Sequence, residues 1–384
     1  MDELDVGTLP RSKSANPIFS ENKLKLGVFG LNGKGSANTL APEAHRPDWK
    51  RILRAATLAD DMRLEVIFAY SRWKSQVPGK IEHPSGTVLD PFTWAAGVAQ
   101  ATGYSALIAT AHAPTLHPVT AAKMCATVDV ISAGRFGLNI VAGWNQPELE
   151  MFGAPMKEHD RRYDHLAEWL EIMKRLWTAD EELDFEGEFF KVIKAMSRPK
   201  PVQRPHPPII NAGSSGRGRD LAMEVADMCF ISIRAEDLIG RRAQVDEYKK
   251  TAREKYGRDV QVWTMCNIFQ RDTQRDAEDF LRRIAIEYGD YESVAAKTAQ
   301  LDANSKPLTR IEAETRRMRS AAGAGGSILL GDAETVTEQL QGFADAGVDG
   351  LLIGFVDFAD GLERLRAGVL PRLEERGLRV RPRS

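Results

Sequence analysis

The chain has few cysteines, no long apolar run and no excess of either charge, and each shortage removes a class of protein. Cys125, Cys229 and Cys266 are the three cysteines in 384 residues. They lie far apart among apolar neighbours, which excludes a disulfide or zinc framework and predicts buried thiols in a reducing compartment. No apolar stretch approaches the roughly 18 residues that a bilayer-crossing helix needs. The polar start, residues 1–22, lacks the charged-then-apolar layout of a secretion signal, so a cytoplasmic location is expected. Lys plus Arg number 52 against 54 Asp plus Glu, a net charge of −2, which supplies no general reason to bind nucleic acid or a membrane surface. The one basic run, residues 376–383, is a tail without aromatics.

Short apolar runs rich in β-branched residues recur at 24–29, 65–69, 106–110, 136–142, 208–211, 228–232, 261–268 and 350–354. Between them, helical spacing is readable at 49–62, 118–131, 163–177, 218–225, 235–255, 275–288 and 333–346, and it returns at 362–376. In the third of these, Leu166, Trp169, Leu170, Met173, Leu176 and Trp177 fall on one face, the stripe of a helix that packs on a sheet. Alternation of eight strands with helices predicts an α/β fold, a TIM (β/α)8 barrel. Such a barrel takes about 250 residues, so this chain carries insertions. They are expected after the second strand (70–105), the fourth (143–162) and the seventh, where 289–326 is a lid candidate ending in a Gly/Ala hinge-like run. A hairpin is expected within 184–192, an N-terminal arm at 1–22, a single barrel over 23–376 and a tail at 377–384.

Chemistry in these barrels sits at the C-terminal ends of the strands. Asn139 is a carboxamide in an otherwise apolar fourth strand, where it either ties to a neighbouring strand or faces the mouth and donates to a ligand. Thr110 ends the third strand, and His112 and His117 follow it as candidates for acid–base work or for packing and capping. The loop Asn211-Ala-Gly213-Ser214-Ser215-Gly-Arg-Gly218 ahead of a helix suits an anion such as phosphate, although it is neither a Walker loop nor a dinucleotide fingerprint. The stretch Gly30-Leu-Asn-Gly-Lys-Gly-Ser36 also fails the Walker spacing. Arg161-Arg162-Tyr163, entering a helix, can meet a phosphate or a carboxylate, or form a solvated first turn. His159 and His165 lack zinc-site spacing, and no metal is expected.

Taken together, Ser132-Ala-Gly-Arg-Phe-Gly-Leu-Asn-Ile-Val-Ala-Gly-Trp-Asn-Gln-Pro-Glu148, Arg161-Arg-Tyr-Asp164, residues 169–177 and Ile210-Asn-Ala-Gly-Ser-Ser215 resemble the bacterial-luciferase-like flavin monooxygenases. The chain is most similar to the branch of pyrimidine-ring-opening, dimethylsulfone and hexachlorobenzene monooxygenases, over roughly residues 16–355. The resemblance implies a two-component enzyme: an NAD(P)H-dependent flavin reductase supplies reduced FMN, and O2 is the co-substrate. A flavin N5-peroxide or N5-oxide would oxygenate a small heterocyclic, sulfur-containing or halogenated compound in a homodimer or homotetramer. It also implies flavin contacts at Trp73, Lys74, Asn139, Glu148, Arg162, Tyr163 and Ser215, with Thr110 and Asn139 flanking O2 as the catalytic pair. Gly213 and Ser214 join the cofactor set from the loop argument. The phosphate then sits after strands four and five, unlike the many barrels that hold it after seven and eight. Two alternatives remain open: an F420-dependent oxidoreductase of the same superfamily and a non-catalytic flavin-binding protein.

Overall fold

The computed structural model describes residues 16–213, 216–233, 235–302, 310–323 and 325–380. Its strands are β1 (Lys25–Phe29), β2 (Val66–Ala69), β3 (Ala106–His112), β4 (Phe136–Val141), β5 (Leu183–Glu186), β6 (Lys191–Ala195), β7 (Ile209–Asn211), β8 (Met228–Phe230), β9 (Gln261–Gln270), β10 (Ser327–Gly331) and β11 (Gly350–Gly354). The barrel runs β1-β2-β3-β4-β7-β8-β9-β11, every pair parallel, and closes where Leu26 of β1 faces Leu351 of β11. This is the expected TIM barrel, and β5 and β6 form the expected hairpin as an antiparallel pair.

Strand alternation sorts the apolar side chains into two cores. Val66, Phe68, Ile108, Ile210, Met228, Trp263 and Leu352 fill the barrel, and Ile18 plugs its underside. The opposite faces of the strands pack against the surrounding helices. The stripe from Leu166 to Trp177 is buried there along the helix His159–Thr178. Its two indoles also donate to main-chain carbonyls, Trp169 Nε1 to Leu116 O at 2.7 Å and Trp177 Nε1 to Ala122 O at 3.0 Å. All three cysteines are buried and unpaired. No helix among the described residues is long and apolar enough to cross a membrane.

Two elements differ from the sequence expectation. The insertion after β2 contains the helix Pro91–Ala99, capped by Asp90, whose carboxylate accepts from Thr93 N–H. It is apolar on nearly every face, so it shows no amphipathic period. The seventh barrel strand is followed by an added parallel strand, β10. Cys266 and Asn267 of β9 pair with Ser327 and Ile328 on one side and with Ile353 and Gly354 on the other, so β10 extends the wall above the short β8.

The lid candidate, 289–326, carries the helices Tyr291–Asp302 and Arg310–Gly323, with 303–309 and 324 outside the described residues. Its described parts are tied across the barrel mouth. Thr39 bridges to Gly289, Asn38 Nδ2 donates to Ser320 O at 2.6 Å, and His83 Nε2 lies 3.3 Å from Asp290.

Candidate active site

A cavity of about 250 Å3 opens at the C-terminal ends of the strands, walled by Phe29, Phe68, Phe230 and Trp144, with polar groups from the first four barrel strands and their loops and Lys297 from the helix Tyr291–Asp302. Thr110 and Asn139 are register partners on β3 and β4 and both line it. Thr110 Oγ1 donates to Ala69 O at 2.8 Å, so its only hydrogen is committed to the backbone of β2. Its lone pair then accepts from Asn139 Nδ2 at 3.1 Å. That chain fixes the amide orientation and leaves Asn139 Oδ1 buried without a partner. Asn139 therefore ties to its neighbouring strand and faces the mouth at once, and its orphan atom is an acceptor. The Asn139 amide expected to donate to a ligand instead gives a hydrogen of Nδ2 to Thr110, and the Thr110 hydrogen is turned into the wall.

Glu148 knots two insertions together. It sits in the first turn of the short helix Gln146–Met151, is 2% exposed, and accepts from the main-chain N–H groups of Trp73 and Lys74 at 3.1 and 3.3 Å. The Arg72 guanidinium lies 3.9 Å from the same carboxylate and 5.9 Å from the centre of the Trp144 ring. Across the carboxylate, His112 Nδ1 is 3.9 Å away. Burial, and then the Arg72 charge, push the His112 imidazole down to about 4, so it is neutral near pH 7. Trp73 and Lys74 enter through their backbones; the Trp73 ring stands at the surface, edge-on to Phe152 at 5.1 Å. His117 takes no part, since its Nδ1 accepts from Val119 N–H and caps a helix.

Arg162, Tyr163 and Gly213 form a second group beside the loop after β7. Arg162 Nη1 donates to Gly143 O at 2.8 Å, and its Nε is buried without a partner. Gly213 N–H donates to Asn211 Oδ1 at 2.8 Å, and a side chain there would lie 2.0 Å from Gly218 O. Gly218 in turn lets Tyr163 close in, because a Cβ on it would lie 2.3 Å from the phenol ring. These close approaches hold loop and helix together beside the Arg162 orphan donor. Ser214 and Ser215 lie outside the described residues.

Among the cavity residues that escaped sequence reasoning are Tyr70, Arg72 and Lys34. Tyr70 and Arg72 follow β2 directly, and the cation beside Trp73 was a usable signal. Lys34 follows β1 in the glycine-rich stretch that fails the Walker spacing, and it lines the cavity. No cluster of metal-ligating side chains occurs among the described residues.

A closed parallel barrel with its polar groups at the strand ends, and a buried amide with a vacant acceptor among aromatic walls, define a TIM-barrel enzyme. The family model for luciferase-like monooxygenases matches residues 24–350. The chain belongs to that family, and the expected family and oxidoreductase class are thereby met. An FMNH2-dependent dimethylsulfone monooxygenase of Pseudomonas putida is 31% identical over 67% of this chain and 71% of its own. A pyrimidine monooxygenase of Enterobacter sp. (strain 638) is also 31% identical, over 91% of this chain and 96% of its own. Among solved structures, a riboflavin lyase with modified FMN and riboflavin superposes with a TM-score of 0.81 at 22% identity, covering 92% of each chain, a likeness of fold.

Proposed function

We propose that this chain is the oxygenase component of a two-component flavin system. It takes reduced FMN from an NAD(P)H-dependent flavin reductase, uses O2, and inserts one oxygen atom into a small heterocyclic, sulfur-containing or halogenated compound. The relatives of the preceding section support the cofactor, one of them being FMNH2-dependent. The residues present fit it. Asn139 Oδ1 is a buried acceptor suited to a ring N–H of a reduced isoalloxazine, and Arg162 Nε is a buried donor suited to a phosphate oxygen. Bound reduced FMN would supply the electrons and the site of O2 activation; the chain positions it and excludes water.

Each residue then has a task of its own. Thr110 locks the Asn139 amide in one orientation, and Glu148 locks the main chain at Trp73 and Lys74 over the mouth. Neutral His112 adds no charge to the cavity and stays available as a hydrogen-bond partner. The aromatic walls, with the helices tied across the mouth, keep bulk water from the reacting oxygen.

The single observation that carries this reading is the Asn139 amide, held by Thr110 with its oxygen vacant at the cavity. Anaerobic titration with reduced FMN and, separately, reduced F420, followed by mixing with air, tests it. Tight reduced FMN that reacts with O2 through a transient flavin spectrum is expected; preference for F420, or no flavin affinity, removes the proposal. Arg162→Ala is expected to weaken FMN about tenfold or more while riboflavin changes little, because a charge-assisted phosphate contact is lost. Equal weakening of the two flavins places Arg162 away from the phosphate.

A further inference from the structure

Lys34 is a cation in an unusual position. Its side chain is 8% exposed on the cavity wall, held by the loop after β1. Nζ donates to Ala37 O at 2.7 Å and to Asn38 Oδ1 at 2.6 Å, both neutral acceptors. An ammonium carries three hydrogens, so one remains. No carboxylate among the described residues lies within ion-pairing distance of it. Burying such a charge without a counter-ion is costly, and the remedies are loss of the proton or a paired anion.

Basic residues outnumber acidic ones on the rest of the cavity wall. Lys34, Arg72 and Lys297 line it against one carboxylate, Glu148. Glu148 is itself taken up by two main-chain N–H groups and faces Arg72, so it leaves Lys34 unneutralised. The candidate phosphate donor, Arg162, belongs to the group beside β4 and β7, whereas Lys34 stands on the loop after β1, with β2 and β3 between them in the barrel order. The apolar walls, Phe29, Phe68 and Phe230, suit a flat ring.

We infer that the substrate of this oxygenase is a small aromatic or heteroaromatic anion, and that the Lys34 ammonium receives its anionic oxygen, a carboxylate or a phenolate. The inference rests on the oxygenase reading and narrows its substrate class. It also gives the buried charge a partner, since the ligand completes the ion pair that the fold leaves open.

The electrostatic surroundings support a pH signature. Burial pushes Lys34 down to about 7; Asp290 opposes this, while Lys297, Arg72 and Arg46 add to it. Tyr70 packs beside the same loop, and burial raises its phenol, so it stays neutral in this range. Protonated Lys34 binds the anion, so for a carboxylate, which stays ionised throughout this range, affinity is held below the Lys34 transition and falls as pH rises through it.

The test is anaerobic calorimetry on the full chain, first with reduced FMN and then with four probes: benzoate and its neutral isostere benzamide, 4-nitrophenolate and its neutral isostere 4-nitroanisole. At least one anion is expected to bind about tenfold or more tighter than its isostere, and whichever anion shows the gap identifies the carboxylate or phenolate source. Lys34→Met and Lys34→Gln are expected to erase the gap while neutral-probe and FMN affinities stay at parent values. Equal binding of anions and isosteres by the parent overturns the inference, whatever the variants do, and so does a gap that survives in a folded Lys34→Met chain. Absence of the FMN heat would instead strike the oxygenase reading, since the probe titrations are read with or without flavin.

Discussion

Asn139→Ala is expected to leave reduced-FMN affinity within about tenfold of the parent, the value of one hydrogen bond at roughly 1–2 kcal/mol, and to abolish product formation. The two effects separate because of how the side chain is held. Its Nδ2 is committed to Thr110, and Thr110 to Ala69 O, so the amide is a fixed dipole with its oxygen at the cavity. An acceptor fixed before the reaction starts holds a ring N–H of the reduced flavin in one place, and misplacing a reacting centre by about 1 Å costs on the order of 100-fold in turnover. On the reading proposed above, FMN would keep the Arg162 group and the Glu148-braced main chain to hold it. Stopped-flow oxidation of the bound flavin, with product analysis, distinguishes the outcomes: flavin is still oxidised, but the electrons leave as free peroxide. Product at the parental rate would remove Asn139 from the chemistry. Thr110→Val should reproduce part of the defect, because it frees the amide to rotate without deleting it.

The barrel was legible in the sequence because parallel strands buried on both faces read as short apolar runs, and the helix His159–Thr178 shows its stripe in six large side chains. The pairing of Thr110 with Asn139 followed only in part. Both strand ends were visible, but the direction of the Thr110 hydrogen depends on Ala69 O, a backbone atom on a third strand. The same limit hid Lys34. Its loop carries no recognisable spacing, and its significance comes from the missing counter-ion, a property of the folded neighbourhood. β10 was hidden for a different reason: Ser327–Gly331 follows a glycine-rich run and is only partly buried, so its apolar stretch reads as part of a loop.

At the opposite end of the barrel, Arg379→Met is expected to lower the unfolding free energy by about 3–5 kcal/mol, the usual result of breaking one side of a buried ion pair. By composition Arg379 belongs to a solvated basic tail. In the structure its side chain is 3% exposed, and Nη1 lies 2.7 Å from Glu65 Oε2, whose side chain is fully buried. The guanidinium also donates to Leu24 O at 3.1 Å and Arg63 O at 2.8 Å, stitching the end of the chain to β1 and to the entrance of β2. Glu65 accepts in addition from Leu26 N–H at 2.7 Å and from Ser20 Oγ at 3.2 Å, so its carboxylate organises the underside that Ile18 plugs. Removing Arg379 leaves that carboxylate charged among apolar strands. The double variant Glu65→Gln/Arg379→Met, which removes both charges, is expected to be more stable than Arg379→Met alone, and denaturant melts of the four chains in the cycle measure the coupling. A loss below about 1 kcal/mol in Arg379→Met, the range of an exposed pair, would mean that the chain end peels away and water reaches Glu65.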